Sequence, residues 1–183
     1  MIEQRELLNK KEIEITIERL CQQLIENHYD FKDTVIVGVQ PRGTFLSKRI
    51  INKLQSLIPT FTIQSGNVDI SFYRDDLMRR DEPIVPEVMD INISLEGKNI
   101  VLIDDVLFTG RSIRSAIDAL MTFGRPKSIE LLTLIDRRFS RDLPIQPNYV
   151  GRTIDAIDSE RVIVEWKEVN GKDRILMVKS DNE

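Results

Sequence analysis

One cysteine, one histidine and one tryptophan stand in 183 residues. Cys21 has no second thiol to pair with, so an internal disulfide is excluded, and the scarcity suits a reducing compartment. No apolar run approaches the roughly 20 residues needed to span a bilayer. The segment Met1-Ile2-Glu3-Gln4-Arg5-Glu6 lacks the basic-then-apolar order of a secretion signal, and a cytoplasmic protein without membrane partners is expected. Positive charge is not in excess either. Lys and Arg number 26 against 30 Asp and Glu, a net charge of −4. That balance argues against a dedicated nucleic-acid binder, because affinity for phosphate backbones comes from clustered Lys and Arg, although a local or dimer-generated basic face stays open. There is no Gly-x-Gly-x-x-Gly and no Gly-Lys-Ser/Thr, so neither a dinucleotide fingerprint nor a P-loop is present. Internal repeats and low-complexity segments are also missing.

What is present reads as one α/β domain covering residues 1–183. Apolar residues make up 41% and charged residues 31%, the balance of a globular chain able to fill a core. Ile13, Ile17, Leu20, Cys21, Leu24 and Ile25 recur at helical steps within 10–27. The β-branched run Thr34–Val39 predicts a buried strand, and Phe45–Leu57 a helix. Alternation over Val68–Tyr73 predicts a half-buried strand. Residues 74–92 are polar, charged and broken by Pro83 and Pro86, the pattern of a long functional loop. A strand over Asn99–Ile103, a helix over Ser112–Phe123 stopped by Gly124 and Pro126, and a strand over Ser128–Ile135 follow. After a Pro-rich connection come strand-like runs at Arg161–Trp166 and Arg174–Val178, with Asn170-Gly171 as a hairpin signal between them. Strands alternating with helices imply a mainly parallel sheet. The last strands imply a small antiparallel addition.

The chemistry concentrates in Ile103-Asp104-Asp105-Val106-Leu107-Phe108-Thr109-Gly110-Arg111-Ser112. An apolar strand delivers two carboxylates to its C-terminal edge, where ligands of open α/β sheets bind. Adjacent acids can accept hydrogen bonds from a vicinal diol. Thr109, Gly110 and Ser112 then lie where a loop becomes a helix, so free N–H groups, the helix dipole and hydroxyl donors favour an anion. Gly110 lets backbone approach a phosphate. Diol acceptors followed by a phosphate cradle describe a ribose 5-phosphate site. The plainer alternative is a βα connection with Ser112 as N-cap. Gln40-Pro41-Arg42-Gly43, between a buried strand and a helix, suits a diphosphate, or is merely a turn. Asp136 and Arg137 end a strand and either face the ligand or only bound the element. His28 reads as a helix-terminal surface residue, and Trp166 and Phe139 as core or hood packing.

The acid-pair string resembles the phosphoribosyl pyrophosphate (PRPP) motif of type I phosphoribosyltransferases. Val37-Gly38-Val39-Gln40-Pro41-Arg42-Gly43 is similar to the pyrophosphate loop, and Asp69–Leu77 to the start of the flexible catalytic loop. With Gly124-Arg125-Pro126 and Leu143-Pro144-Ile145 added, the chain resembles the PyrR family over nearly all its length. Members of that family are pyrimidine-operon attenuation proteins with uracil phosphoribosyltransferase activity. Two departures stand out: Pro41, and an Asp136–Asp142 stretch one residue longer than the common form and carrying Arg138-Phe139.

The resemblance implies a type I fold, with a central parallel sheet, a flexible loop at about 74–92 and a hood at about 137–161. It implies that uracil displaces pyrophosphate from PRPP to give UMP. Asp104 and Asp105 would hold the ribose and, largely through the ligand, Mg²⁺. Residues 106–112 would hold the 5-phosphate, residues 40–43 and Arg74 the pyrophosphate, and Arg137, Arg138 and Ile157 the base. Leader RNA is an implied partner through Arg19, Arg141 and Arg152, although Glu18 and Gln22 stand where the family presents neutral or basic donors on the first helix. A homodimer or higher homo-oligomer is expected. Three functions remain to be told apart: the uracil enzyme, a UMP-sensing RNA regulator with little catalysis, and a purine phosphoribosyltransferase.

Overall fold

The computed structural model describes residues 3–73, 91–157 and 159–179. Strand β1 (Glu3–Asn9) leads into helix α1 (Lys10–His28). Asn9 starts that helix with a reciprocal cap: its side chain accepts from the Glu12 N–H at 3.1 Å, and the Glu12 carboxylate accepts from the Asn9 N–H at 2.8 Å. Next come β2 (Thr34–Val39), α2 (Gly43–Leu57), β3 (Gln64–Val68), β4 (Asn99–Leu107) and α3 (Arg111–Leu120). The chain continues with β5 (Ser128–Arg138), β6 (Tyr149–Asp155), β7 (Glu160–Glu165), the single helical turn α4 (Lys167–Asn170) and β8 (Arg174–Lys179).

A five-stranded sheet in the order β3-β2-β4-β5-β6 is parallel throughout. Apolar side chains cover both faces, as such a sheet requires. On one face Ile13, Leu20 and Leu24 of α1 and Leu46, Ile50 and Leu54 of α2 pack on Ile36, Val101, Ile103 and Leu134. On the other, Ile113, Ala116 and Leu120 of α3 meet Val35, Val37, Ile100 and Leu102. Burying each such aliphatic side chain contributes about 1.5–3 kcal/mol. Cys21 lies in this packing, and burial pushes its thiol up to about 12, so it is inert. A second, antiparallel sheet in the order β1-β8-β7 joins the first and last strands.

The α/β architecture, α1, β2 and Trp166 agree with expectation; Trp166 is 1% exposed in the core. Other elements differ. The strand expected over 68–73 ends at Val68, because the Asp69 carboxylate accepts from the Ser71 N–H (2.8 Å) and hydroxyl (2.6 Å) and turns the chain. Gln64–Val68 forms the edge strand instead, despite its polar sequence. The chain between Asn170-Gly171 and the flanking strands is a longer hairpin connection holding α4, with Gly171 at φ 74°. The 137–161 stretch, expected as a hood, contains β6, which belongs to the main sheet. Gly151 makes that possible, since a β-carbon there would stand 2.4 Å from the Leu134 carbonyl oxygen and 3.0 Å from Thr16. Phe139, expected to be packed, is 84% exposed. His28 does end α1, but its side chain is only 5% exposed. It hydrogen-bonds Thr34 at 3.0 Å and Glu130 at 3.1 Å.

Candidate active site

Strand β4 runs four residues past the expected Ile103, so Asp104 and Asp105 lie within the strand and not after it. The parallel ladder with β5 carries them: Asp104 pairs with Thr133 and Leu107 with Asp136. The Asp104 carboxylate accepts the Asp105 N–H at 3.0 Å. Burial, then the charge of Asp105, pushes Asp104 well above the usual carboxylate range. Burial also raises Asp105, to about 6, against the pull of the nearby Arg42 guanidinium and the Val106 N–H. The second oxygen of Asp105 is buried with no hydrogen-bond partner among the described residues. An acid pair with one buried, unpartnered oxygen suits hydroxyl donors and developing positive charge.

Immediately after β4, Gly110 takes the left-handed conformation (φ 90°) and starts α3. Helix α3 has no side-chain cap, and its first residue is Arg111, so Ser112 is not the N-cap that the plainer alternative requires. An uncapped N-terminus leaves N–H groups for an anion. The Arg111 N–H meets the Thr109 hydroxyl at 3.4 Å. Phe108 points outward and covers the guanidinium of Arg137, which is 5% exposed and lies 3.9 Å from the ring centroid.

The 40–43 loop joins β2 to α2 beside this motif. Its Gln40–Pro41 peptide is cis. The Gln40 N–H donates to the Val68 carbonyl at 2.9 Å, and the Thr44 hydroxyl to the Pro41 carbonyl at 2.7 Å. Helix α2 also lacks a side-chain cap. Arg42 does not reach into the loop's own concavity: Nη1 donates to the Val164 carbonyl of β7 at 2.9 Å. From the middle of α2, Arg49 binds Glu168 at 2.8 Å and Asp173 at 2.7 Å and lies 4.6 Å from the Trp166 ring centroid. The helix that begins at the candidate pyrophosphate loop is thus tied to the small sheet twice.

Among the candidate base residues, Arg137 and Arg138 close β5, paired with Ile154 and Asp155. Arg138 is held by Asp155 in a two-pronged pair at 2.7 and 2.9 Å. Ile157, just past β6, is 60% exposed. Phe108, Phe139 and Ile157 follow three neighbouring strands and form an exposed apolar rim at their C-terminal ends. Arg74 and the remainder of 74–90 lie outside the described residues.

The candidate RNA arginines also make bonds within the fold. Arg19 donates to the Val150 and Gly151 carbonyls at 3.2 and 2.5 Å, and Arg152 to the Leu7 carbonyl at 2.6 Å. Arg141 binds Phe108, Arg137 and Ile145 carbonyls and the Asp136 carboxylate. These guanidiniums join elements of the fold. Sequence reading missed this for Arg19 and Arg152 because a partner 131 to 145 residues away leaves no local pattern. It also missed the Asp136–Arg141 pair, beside which opens a cavity of about 680 Å³ lined by Phe139, Leu143, Ile145 and Val150 among others.

A profile of the phosphoribosyl transferase domain matches residues 3–168. The bifunctional protein pyrR of Enterococcus faecalis is 38% identical over 177 residues, covering 97% of this chain and 98% of its own. The Bacillus subtilis bifunctional protein PyrR is 35% identical over 178 residues, covering 96% and 97%. Among solved structures, a hypoxanthine phosphoribosyltransferase from Staphylococcus aureus superimposes with a TM-score of 0.71 at 22% identity, covering 97% of this chain and 93% of that one. The Trypanosoma cruzi hypoxanthine phosphoribosyltransferase gives 0.72 at 16% identity, covering 97% of both. At such identities those structures speak for the type I fold alone. The acid pair, the uncapped phosphate loop and the full-length match to PyrR sequences agree, and the chain belongs to the PyrR family of the phosphoribosyltransferases.

Proposed function

We propose that the chain transfers the phosphoribosyl group of PRPP to uracil, giving UMP and pyrophosphate. The observation that carries this reading is the passage from the Asp104–Asp105 pair through Gly110 into the uncapped α3, in a chain matched nearly end to end by PyrR relatives. Asp104 and Asp105 accept from the ribose hydroxyls. The negative charge of the pair, carried by Asp105, favours the positive charge that builds on the ribose ring as the bond to pyrophosphate breaks. The N–H groups of 108–112 hold the 5-phosphate, so the sugar is fixed at both ends and the attacking base meets C1 in line. Residues 40–43 receive the pyrophosphate, with Arg42 leaving Val164 to meet it. The base lies against the rim of Phe108, Phe139 and Ile157, near Arg137 and Arg138.

Mg²⁺ fits this site in a limited way. The unpartnered oxygen of Asp105 and the adjacent Asp104 could share it, while no group of three or more His, Cys, Asp or Glu among the described residues forms a metal cage. Few protein ligands suit an ion held mainly by the substrate's own oxygens. When bound, it supplies charge neutralisation of the pyrophosphate.

The test is PRPP consumption by the purified protein with uracil, hypoxanthine, guanine and orotate side by side, with and without Mg²⁺. Turnover with uracil is expected. Turnover with a purine and none with uracil would reverse the base assignment.

A second reading, UMP-responsive control of pyrimidine genes through leader RNA, is favoured by the word bifunctional in the relatives' names. Arg19 and Arg152 each spend one guanidinium nitrogen on backbone carbonyls and keep further donors for phosphate, and Glu18 beside Arg19 is paired with Lys53 at 3.0 Å. A gel-shift titration with the leader RNA of a pyrimidine gene, with and without UMP, decides it. UMP-enhanced binding abolished by Arg19→Gln supports this reading, and no binding at low salt refutes it.

A further inference from the structure

Two consecutive carbonyl groups of the phosphate loop are held by the segment that follows β5. Arg141 Nη1 donates to the Phe108 carbonyl. The N–H groups of Asp142 and Leu143 both donate to the Thr109 carbonyl, at 3.0 and 3.2 Å. In a trans peptide the C=O and the following N–H point in opposite directions. Fixing these two carbonyls therefore aims the Thr109 and Gly110 N–H groups the other way, out of the 141–143 segment.

The guanidinium that does this is itself immobilised. Its Nε donates to the Ile145 carbonyl at 3.0 Å, its Nη1 also to the Arg137 carbonyl at 3.2 Å, and its Nη2 to the Asp136 carboxylate. The Arg141 and Asp136 side chains are only 21% and 13% exposed. A second tie, from Arg111 Nε to Asp142 at 2.9 Å, fastens the same two segments on the outside.

We propose that Arg141 is a positioning residue for the phosphate loop, setting the Phe108–Thr109 peptide so that its N–H faces the 5-phosphate, without touching the substrate. This rests on the reading of residues 108–112 as the phosphate cradle. An unfastened peptide can rotate, and a carbonyl oxygen turned toward a phosphate repels where an N–H attracts. Lysine cannot substitute fully, because only the planar guanidinium fork reaches three carbonyls and a carboxylate at once.

Full-length Arg141→Gln, Arg141→Lys and Asp136→Asn proteins are compared with the unaltered protein. The measurements are thermal midpoint, ribose 5-phosphate affinity by calorimetry, and PRPP kinetics. Arg141→Gln is expected to weaken ribose 5-phosphate binding and raise the KM for PRPP about tenfold or more. Its kcat at saturating PRPP stays within about threefold. Arg141→Lys falls between. Asp136→Asn keeps the shape but loosens the guanidinium, and gives the same split on a smaller scale. A lower thermal midpoint with unchanged ribose 5-phosphate affinity in the folded protein overturns the proposal, since packing alone then accounts for Arg141. Should Arg141→Gln not fold, Asp136→Asn decides on the same readouts. An unaltered protein that binds ribose 5-phosphate but ignores uracil refutes the base assignment and leaves the binding arm to decide Arg141. No ribose 5-phosphate binding at all overturns both.

Discussion

Gly43 sits against Asp104 so closely that a β-carbon on it would stand 3.3 Å from Asp104 Oδ1 and 2.5 Å from the Ile103 carbonyl oxygen. The start of α2 and the acid pair of β4 share one space. Gly43→Ala is therefore expected to destabilise the protein by about 1–3 kcal/mol, because the obstructing atom is backbone and cannot step aside. It should also weaken ribose 5-phosphate binding by moving Asp104. Urea unfolding with calorimetry checks both, and an alanine variant as stable as the parent would contradict the contact.

Replacing Asp104 or Asp105 by Asn keeps the shape and removes a charge-assisted acceptor. Each variant should lose about 1.5–3 kcal/mol of transition-state stabilisation, roughly 10- to 150-fold in kcat/KM. Both should remain folded. Kinetics indistinguishable from the parent in both would remove the acid pair from the mechanism.

The raised pKa of Asp105 has a stability signature with a definite sign. Unfolded, this carboxyl titrates near 4; folded, near 6. Between those values the folded chain binds more protons than the unfolded one, so this group favours folding at low pH and ceases to as pH rises through about 6. The stability of the parent relative to Asp105→Asn should therefore fall from about pH 4 to about pH 6 and level off above. A flat difference across that window would contradict the burial argument.

Much of the fold was legible because its central strands are apolar runs and its first helices keep a helical period. The phosphate motif was legible because acid pair, glycine and helix start follow one another without a gap. The edges were not. β1 and β3 are polar segments that become strands only through partners: β1 pairs with β8, and β3 with β2. β6 was hidden by Gly151, which carries no side chain to suggest a strand. The partners of Arg19, Arg141 and Arg152 were invisible for the reason that cations look alike until their acceptors are placed.

Arg49→Ala should cost about 1–3 kcal/mol, since among the described residues Asp173 then keeps the Lys167 N–H as its one donor, at 2.8 Å. Burial alone would raise Asp173, but the Arg49 hydrogen bond, the Lys167 N–H and the nearby positive charges together outweigh it and hold the carboxyl below its ordinary value. This stabilisation is complete above the ordinary carboxylate range and is lost as pH falls below it. Unfolding of parent and variant should converge in acid; divergence there would refute the pairing.

Tyr149→Phe provides the control at the other end of the sheet. The Tyr149 hydroxyl donates to Glu130 at 2.6 Å and accepts from Asn27 at 3.0 Å. Tyr149, Glu130 and Thr34 lie near the N-terminal ends of their strands, beside Asn27 and His28 at the end of α1. The change should cost about 1–2 kcal/mol of stability and leave PRPP kinetics unaltered. A large kinetic effect would mean that the two ends of the sheet communicate.

The antiparallel sheet pairs Glu3 with Lys179 and Asn9 with Arg174. A ribosome emits β1 long before β8, and the five-stranded sheet lies between them in the chain. The five-stranded sheet needs neither. During synthesis, then, the five-stranded sheet and its helices can assemble while β1 waits unpaired, its edge open to strands of other chains. Its charged residues, Arg5 and Glu6 among them, are of the kind that blunts an open strand edge.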